Sequence, residues 1–218
     1  MERKSKDFLT KCQKFLISLV KSPLFYITLL AIIIDIVSKW CVVLYIPRDA
    51  FGSPIPVYLI PNFLYVTFIT NQGGIGGIGN SNWGSHVALV TIRAILAVVI
   101  PIVYLLKGKE LKKRYKVCIM LIYAGCIGNL IDGLFYYDNI VGFTGVIDWI
   151  GIDGFFGIFN MADAYVTVCV ILILIFLIID EIIELVKRNR RGEFSMTPEE
   201  YAKKMEEEKK HENHHQKK

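Results

Sequence analysis

Asp132, Asp148 and Asp163 are acidic residues set in or beside strongly apolar stretches. Asp132 closes Gly128-Asn129-Leu130-Ile131-Asp132, Asp148 closes Val146-Ile147-Asp148, and Asp163 follows Phe159-Asn160-Met161-Ala162. An ionised carboxylate near hydrocarbon costs roughly 2.5 kcal/mol or more, so such residues face a wet or paired interior and mark function. Two carboxylates close enough to share a proton form an acid/base pair, because like charges at short range do not both ionise cheaply. The ionised member deprotonates a water while the protonated member hydrogen-bonds a carbonyl. That is peptide hydrolysis without a covalent intermediate. Membrane cost by itself marks Asp132 as strongly as Asp163, gives little reason to favour Asp148, and suits an ion or proton pathway as well as an enzyme.

No other nucleophile motif competes. The chain has no Gly-x-Ser-x-Gly; Ser85 directly precedes His86 at the start of an apolar stretch, and the one His-Glu-x-x-His, His211 to His215, lies in the charged tail. His86, the one histidine outside the tail, begins an apolar stretch and reads as interfacial. Cys12, Cys41, Cys118, Cys126 and Cys169 lie in or beside apolar stretches at no metal-ligand spacing and read as small buried hydrophobes. Gly73-Gly74-Ile75-Gly76-Gly77 lacks the strand-to-helix context of a dinucleotide fingerprint. No cofactor and no metal is expected. The tail from Gly192, with Glu206 to Lys210 and His211, His214 and His215, mixes both charge signs. It reads as a solvated helix or disordered tail, with a histidine metal site as the alternative.

The elements that position the acids are membrane helices. Hydrophobic residues make up 54% of the 218 and charged ones 21%, which excludes an ordinary soluble domain. A helix needs about 20 apolar residues to cross the hydrocarbon. Four stretches suffice, at 22–46, 85–106, 116–135 and 161–186. The first follows a basic N-terminus, is too long for a signal-peptide core and has no small-residue cleavage site after it, so it reads as a retained anchor.

Cations set the orientation. Lys107, Lys109, Lys112, Lys113, Arg114 and Lys116 crowd the second link, and Lys187, Arg188, Arg190 and Arg191 follow the fourth span. The stretch 45–84 has Arg48 as its single Lys or Arg, and 136–160 has none. The positive-inside rule predicts cytoplasmic termini, with both long loops and the acidic residues toward the outer face. The net charge of +5 is accounted for by this topology and by anionic lipid, and no nucleic-acid partner is implied. The expected fold class is an all-α integral membrane protein, four transmembrane helices with a small extracellular β-rich segment between helices 1 and 2. Its domains are a basic N-terminus (1–21), a membrane domain (22–186) and a charged cytoplasmic tail (187–218).

The predicted β segment is Tyr65-Val66-Thr67-Phe68-Ile69-Thr70, broken by Asn71-Gln72-Gly73-Gly74. Extended backbone cannot face lipid with its amides unpaired, so this segment forms a small sheet at the interface or lines a cavity, and a substrate peptide could pair with its edge. The second outer loop carries Trp149, Phe155, Phe156 and Phe159 among glycines. These are membrane-interface anchors or a rim for a lipidated ligand. Within the spans, Asp35 and Lys39 are four apart on one helical face and can pair. Asn129 and Asp132 are three apart on another, and Asn160 and Asp163 repeat that spacing where Asn160 can cap the last helix. Capping alone does not explain why Asp35, Lys39 and Asp132 also approach the outer third of the membrane. An ion channel or proton-coupled transporter using Asp35, Lys39, Asp132 and Asp163 explains the intramembrane charge but gives no role to Asp148. A non-catalytic scaffold explains none of it.

Across 22–186 the order of these blocks resembles lipoprotein signal peptidase (signal peptidase II), a bacterial family of four-span aspartic proteases. The blocks are Asp35-x-x-x-Lys39, Asn71-x-Gly73, Gly128-Asn129-x-x-Asp132, Val146-Ile147-Asp148 and Phe159-Asn160-x-Ala162-Asp163. The resemblance implies a catalytic pair of Asp148 and Asp163, with Asp132 supporting. It implies that Asn71, Asn129 and Asn160 line the site and that Asp35 and Lys39 are a supporting polar pair. It also implies a substrate, a prolipoprotein bearing a diacylglyceryl group on its lipobox cysteine and cut just before it, and a location in the bacterial cell membrane. Two positions depart from the family pattern. Gly133 stands where the family carries an arginine after the aspartate, and Gly74-Ile75-Gly76 where it continues with Ala-Ala-Phe. Arg93, the one arginine inside a predicted span, either supplies the lost cation from the neighbouring helix or is a structural arginine that pairs with Asp132 or snorkels.

Overall fold

The computed structural model describes residues 21–73, 83–135, 145–155, 157–193, 197, 199, 200 and 203. The basic N-terminus, Cys12, the Gly74-Ile75-Gly76 run, Phe156 and the tail histidines lie outside them. The chain divides into two compact units, residues 1–172 and 173–218.

Four helices among the described residues are long and apolar enough to cross a membrane. They are α1 (Pro23–Tyr45), α2 (Trp83–Lys107), α3 (Lys113–Phe135) and α4 (Met161–Arg190). Each matches its sequence-predicted span to within four residues at either end. Helix α1 starts where Ser22 accepts a hydrogen bond from the Leu24 amide and proline occupies the first turn. Most of its large apolar side chains point outward, as do those of α2 and α4. Lipid is as apolar as a protein core, so the buried positions are left to small and polar residues.

Helix α3 is the most enclosed of the four. It packs against α1 and α2, and its Cys118, Ala124, Gly125, Cys126, Gly128, Asn129, Asp132 and Gly133 are buried. Gly125 and Gly128 let neighbours approach closely: a Cβ at 125 would strike the Ala162 carbonyl, and one at 128 would strike the Asp35 carboxylate. Asp35 cannot retreat, since its two oxygens hold Lys39 Nζ and the Ala162 amide. Gly128→Ala is therefore expected to destabilise the protein by about 2 kcal/mol, the usual cost of overpacking. Thermal unfolding in detergent measures it, and an unchanged midpoint would mean that α1 and α3 can part at this point.

A three-stranded antiparallel sheet, β1 (Val57–Ile60), β2 (Leu64–Asn71) and β3 (Val146–Ile152) in that order, follows α1 and α3 in the chain. The predicted strand is β2. The third strand was not legible in the sequence and comes from between α3 and α4, so the β-rich segment is not confined to the link between α1 and α2. A bulge interrupts the β2–β3 ladder. Val66 pairs with Ile150 and Ile69 with Asp148, three steps on β2 against two on β3. Paired residues share a face, so the bulge switches the face shared with β3 from even to odd positions of β2. Asn71 consequently lies on the same face as Asp148.

In the second unit, the end of α4 carries an ion-pair cluster in which Arg188 Nε meets Glu193 Oε2 at 3.1 Å and Arg191 Nη2 meets Glu184 Oε1 at 3.3 Å.

Candidate active site

Each site residue arrives by a local rule. Asn129 and Asp132 are one turn apart on the buried face of α3, and Asp35 and Lys39 are one turn apart on α1. Asp148 sits in the middle of β3. The strand then turns back, with Phe159 bridging Ile150, and delivers Asn160 to the start of α4 beside it. Asn160 caps that helix: its Oδ1 accepts from the Asp163 amide at 3.0 Å, while Asp163 Oδ2 receives the Asn160 amide at 3.4 Å. This is the reciprocal arrangement of a capping box.

Two linked polar groups result. In the first, Lys39 is fully buried. Its Nζ contacts Asp35 Oδ2 at 2.7 Å, Asp132 Oδ2 at 2.8 Å and Asn129 Oδ1 at 3.1 Å. Asp35 Oδ1 reaches the Ala162 amide at 2.8 Å, and Asp132 Oδ2 receives the Ile147 amide at 3.4 Å. The cluster thus ties α1 and α3 to the start of α4 and to β3. A buried cation among two carboxylates is tolerable because each charge is paired and further hydrogen-bonded.

The second group is Asp148 and Asp163 with their amides. Asp148 is 1% exposed; its Oδ1 accepts from Asn160 Nδ2 at 2.7 Å and its Oδ2 from Asn71 Nδ2 at 3.0 Å. Asp163 Oδ1 accepts from Asn129 Nδ2 at 2.7 Å. Asn129 joins the two groups. Its carbonyl oxygen takes hydrogen bonds from Lys39 and from Asn160 Nδ2, the latter at 3.1 Å, which turns its NH₂ toward Asp163. Burial, reinforced by the negative charge of Asp163, pushes the Asp148 carboxyl up to about 7, against the opposing pull of the Asn71 and Asn160 amides. A carboxyl poised there can hold or release a proton near neutrality.

Both carboxylates open on one cleft of about 400 Å³. Its polar rim also includes Asn71, Asn129 and Arg93, and its remaining wall is largely apolar, with Leu89, Val146, Ile152, Phe155, Ile158 and Phe159 among the lining residues. Phe155 and Phe159, edge to face at 6.1 Å, belong to this wall. Arg93 Nη1 lies 3.5 Å from the backbone carbonyl oxygen of Asn129. A Cβ at Gly133 would sit 2.9 Å from Val90 Cγ2 and 3.8 Å from the same guanidinium nitrogen, so the Arg93 head lies beside position 133.

The structure therefore brings Asn71, Arg93, Asn129, Asp148, Asn160 and Asp163 together, and holds Asp35, Lys39 and Asp132 behind them without access to the cleft. One sequence expectation fails: Cys41 is exposed rather than a buried hydrophobe. His86, in the first turn of α2, is buried within the protein near Gly133. Sequence reasoning missed Thr167 of the cleft wall; its signal was the four-residue spacing from Asp163, which puts both on one helix face.

Fold and site together define a multi-pass membrane protein with an acid pair, Asp148 buried and Asp163 half-buried, beside an apolar cleft. The family model for signal peptidase (SPase) II matches residues 27–179. The chain belongs to the signal peptidase II family and is a membrane peptidase. It is 32% identical over 158 residues to a lipoprotein signal peptidase of Listeria monocytogenes serotype 4a (strain HCC23), covering 72% of this chain and 94% of the relative. The corresponding protein of serotype 4b (strain CLIP80459) is equally similar, at 32% over 159 residues. A solved bacterial membrane enzyme superposes with a TM-score of 0.59 at 28% identity, covering 72% of this chain and 88% of the other. A second gives 0.54 at 26%, over 71% and 91%.

Proposed function

We propose that this chain is an aspartic endopeptidase that removes the signal peptide from diacylglyceryl-modified prolipoproteins, cutting before the lipidated lipobox cysteine. The observation that carries the reading is the meeting of Asp148 and Asp163 at one cleft, each hydrogen-bonded to Asn160. Asp163, at the positive end of α4, serves as the base. It takes a proton from the attacking water while the Asp148 hydroxyl donates to the oxyanion forming on the scissile carbonyl. Collapse of the tetrahedral intermediate breaks the C–N bond, and the proton held by Asp163 passes to the departing cysteine nitrogen. Asn129, Asn160 and Asn71 orient the pair. Asp35, Lys39 and Asp132 brace it.

The peptidase domain spans 22–186, between a basic N-terminus (1–21) and a charged tail (187–218). Cytoplasmic termini, supported by the cation distribution, put the cleft near the outer face of a bacterial cell membrane. Both parts of the substrate, an apolar signal helix and a lipid-anchored cysteine, partition into the bilayer and present the scissile bond at that depth. The test is to reconstitute the protein in vesicles with a prolipoprotein carrying or lacking the diacylglyceryl group. Mass spectrometry should find a product beginning at the lipidated cysteine and little cleavage of the unmodified chain. Absence of that product overturns the reading.

Arg93 supplies the cation that Gly133 lacks, steadying a substrate carbonyl from α2. Arg93→Ala is expected to lower kcat/KM about tenfold or more, in the range for a lost charged hydrogen bond. A correctly inserted variant that cleaves at the original rate would remove Arg93 from the site.

A further inference from the structure

The cleft extends past the acid pair. Its wall on α4 continues through Ala164, Thr167 and Val168, and α2 contributes Leu89 and Arg93. Thr167 follows Asp163 by four residues, so it lies on the same helix face about 6 Å farther along the axis. It carries the only hydroxyl among the described residues that line the cleft. Thr28 of α1 donates its hydroxyl to the Leu24 carbonyl at 2.8 Å, the usual outlet for a helical threonine. Thr167 makes no such bond among the described residues, and its side chain is exposed. A hydroxyl against hydrocarbon without a partner is unfavourable.

We propose that Thr167 determines specificity for the lipid part of the substrate, donating its hydroxyl to an ester carbonyl of the diacylglyceryl group. The inference rests on the peptidase reading above. In that substrate the nearer ester carbonyl carbon is six bonds from the cysteine Cα, a reach comparable to one helical turn of about 5.4 Å. With the scissile bond at Asp148 and Asp163, the ester falls level with Thr167. The acyl chains then continue along Leu89 and Val168.

The test uses full-length protein in vesicles and two lipobox peptides, one S-modified with a diacylglyceryl ester and one with the dialkyl ether of equal chain length, which has no carbonyl. The expected wild-type preference for the ester is about fivefold to tenfold in kcat/KM, the range of one neutral hydrogen bond. Thr167→Val keeps the shape and removes the donor, so the ester should be cut no faster than the ether. Thr167→Ser should restore the preference. Equal wild-type rates on the two peptides, or a preference that survives in Thr167→Val, overturns the proposal while the peptidase reading stands. Cleavage of neither peptide by the wild type overturns both.

Discussion

Asparagine at either Asp148 or Asp163 is expected to abolish prolipoprotein cleavage, with a fall of about 10³-fold or more in kcat, while the protein remains folded. Each substitution removes one titratable carboxyl with little change in shape, and acid/base catalysis by such a group contributes about 10²–10⁴. The two losses should not add, because the proposed carboxylates act on one water as a unit. Single-turnover assays on each variant and on the double variant measure this, and cleavage retained by either single variant would end the dyad assignment. The pH profile offers a second measurement. With Asp148 raised to about 7, the pair holds one proton near neutrality and loses it above. The rate should therefore fall as pH rises through about 7, with the apparent value belonging to the pair rather than to one residue. Folding stability has the same sign for this group. The native state binds a proton that the unfolded carboxyl releases near pH 4, so the Asp148 contribution is full below that and is lost as pH rises to about 7.

Lys39→Met is expected to cost about 3–5 kcal/mol, the largest stability effect in the protein, because it strands Asp35 and Asp132 as buried carboxylates without their cation. Lys39 Nζ lies within 2.8 Å of both. Activity should fall as well, since Asn129 Oδ1 loses the ammonium that helps turn its NH₂ toward Asp163. The combined variant Asp35→Asn, Lys39→Met and Asp132→Asn removes all three charges and should recover much of the stability. Thermal unfolding of the two variants in detergent distinguishes the causes. A single variant that melts with the wild type would refute the electrostatic account, and a combined variant no better than the single one would shift it to packing.

Much of the fold was legible because a membrane span is a local property. Length and apolarity fix 23–45, 83–107, 113–135 and 161–190 with no knowledge of what each helix touches. The pairs Asp35/Lys39, Asn129/Asp132 and Asn160/Asp163 were equally readable, since spacings of three and four determine which residues share a helix face. Strand β3 was not legible. Val146–Ile152 carries an aspartate and a glycine among apolar residues, and what makes it a strand is pairing with β2, some eighty residues earlier in the chain. The burial of His86 was not legible either, because it depends on the packing of α2 against α3.

The sequence by itself determined four membrane helices, the residue pairs that share their faces, and a family pattern pointing to Asp148 and Asp163. Tertiary structure decided how those acids meet. The β2 bulge, invisible in an alternating pattern, brings Asn71 to the Asp148 face, and the turn after β3 sets Asn160 between Asp148 and the start of α4. It also separated Asp132 from the other two, by joining it to Lys39 behind the cleft. Membrane cost is the same for each carboxylate taken alone. Which is paired with a cation and which faces an open cleft depends on neighbours distant in sequence, and only folding supplies those.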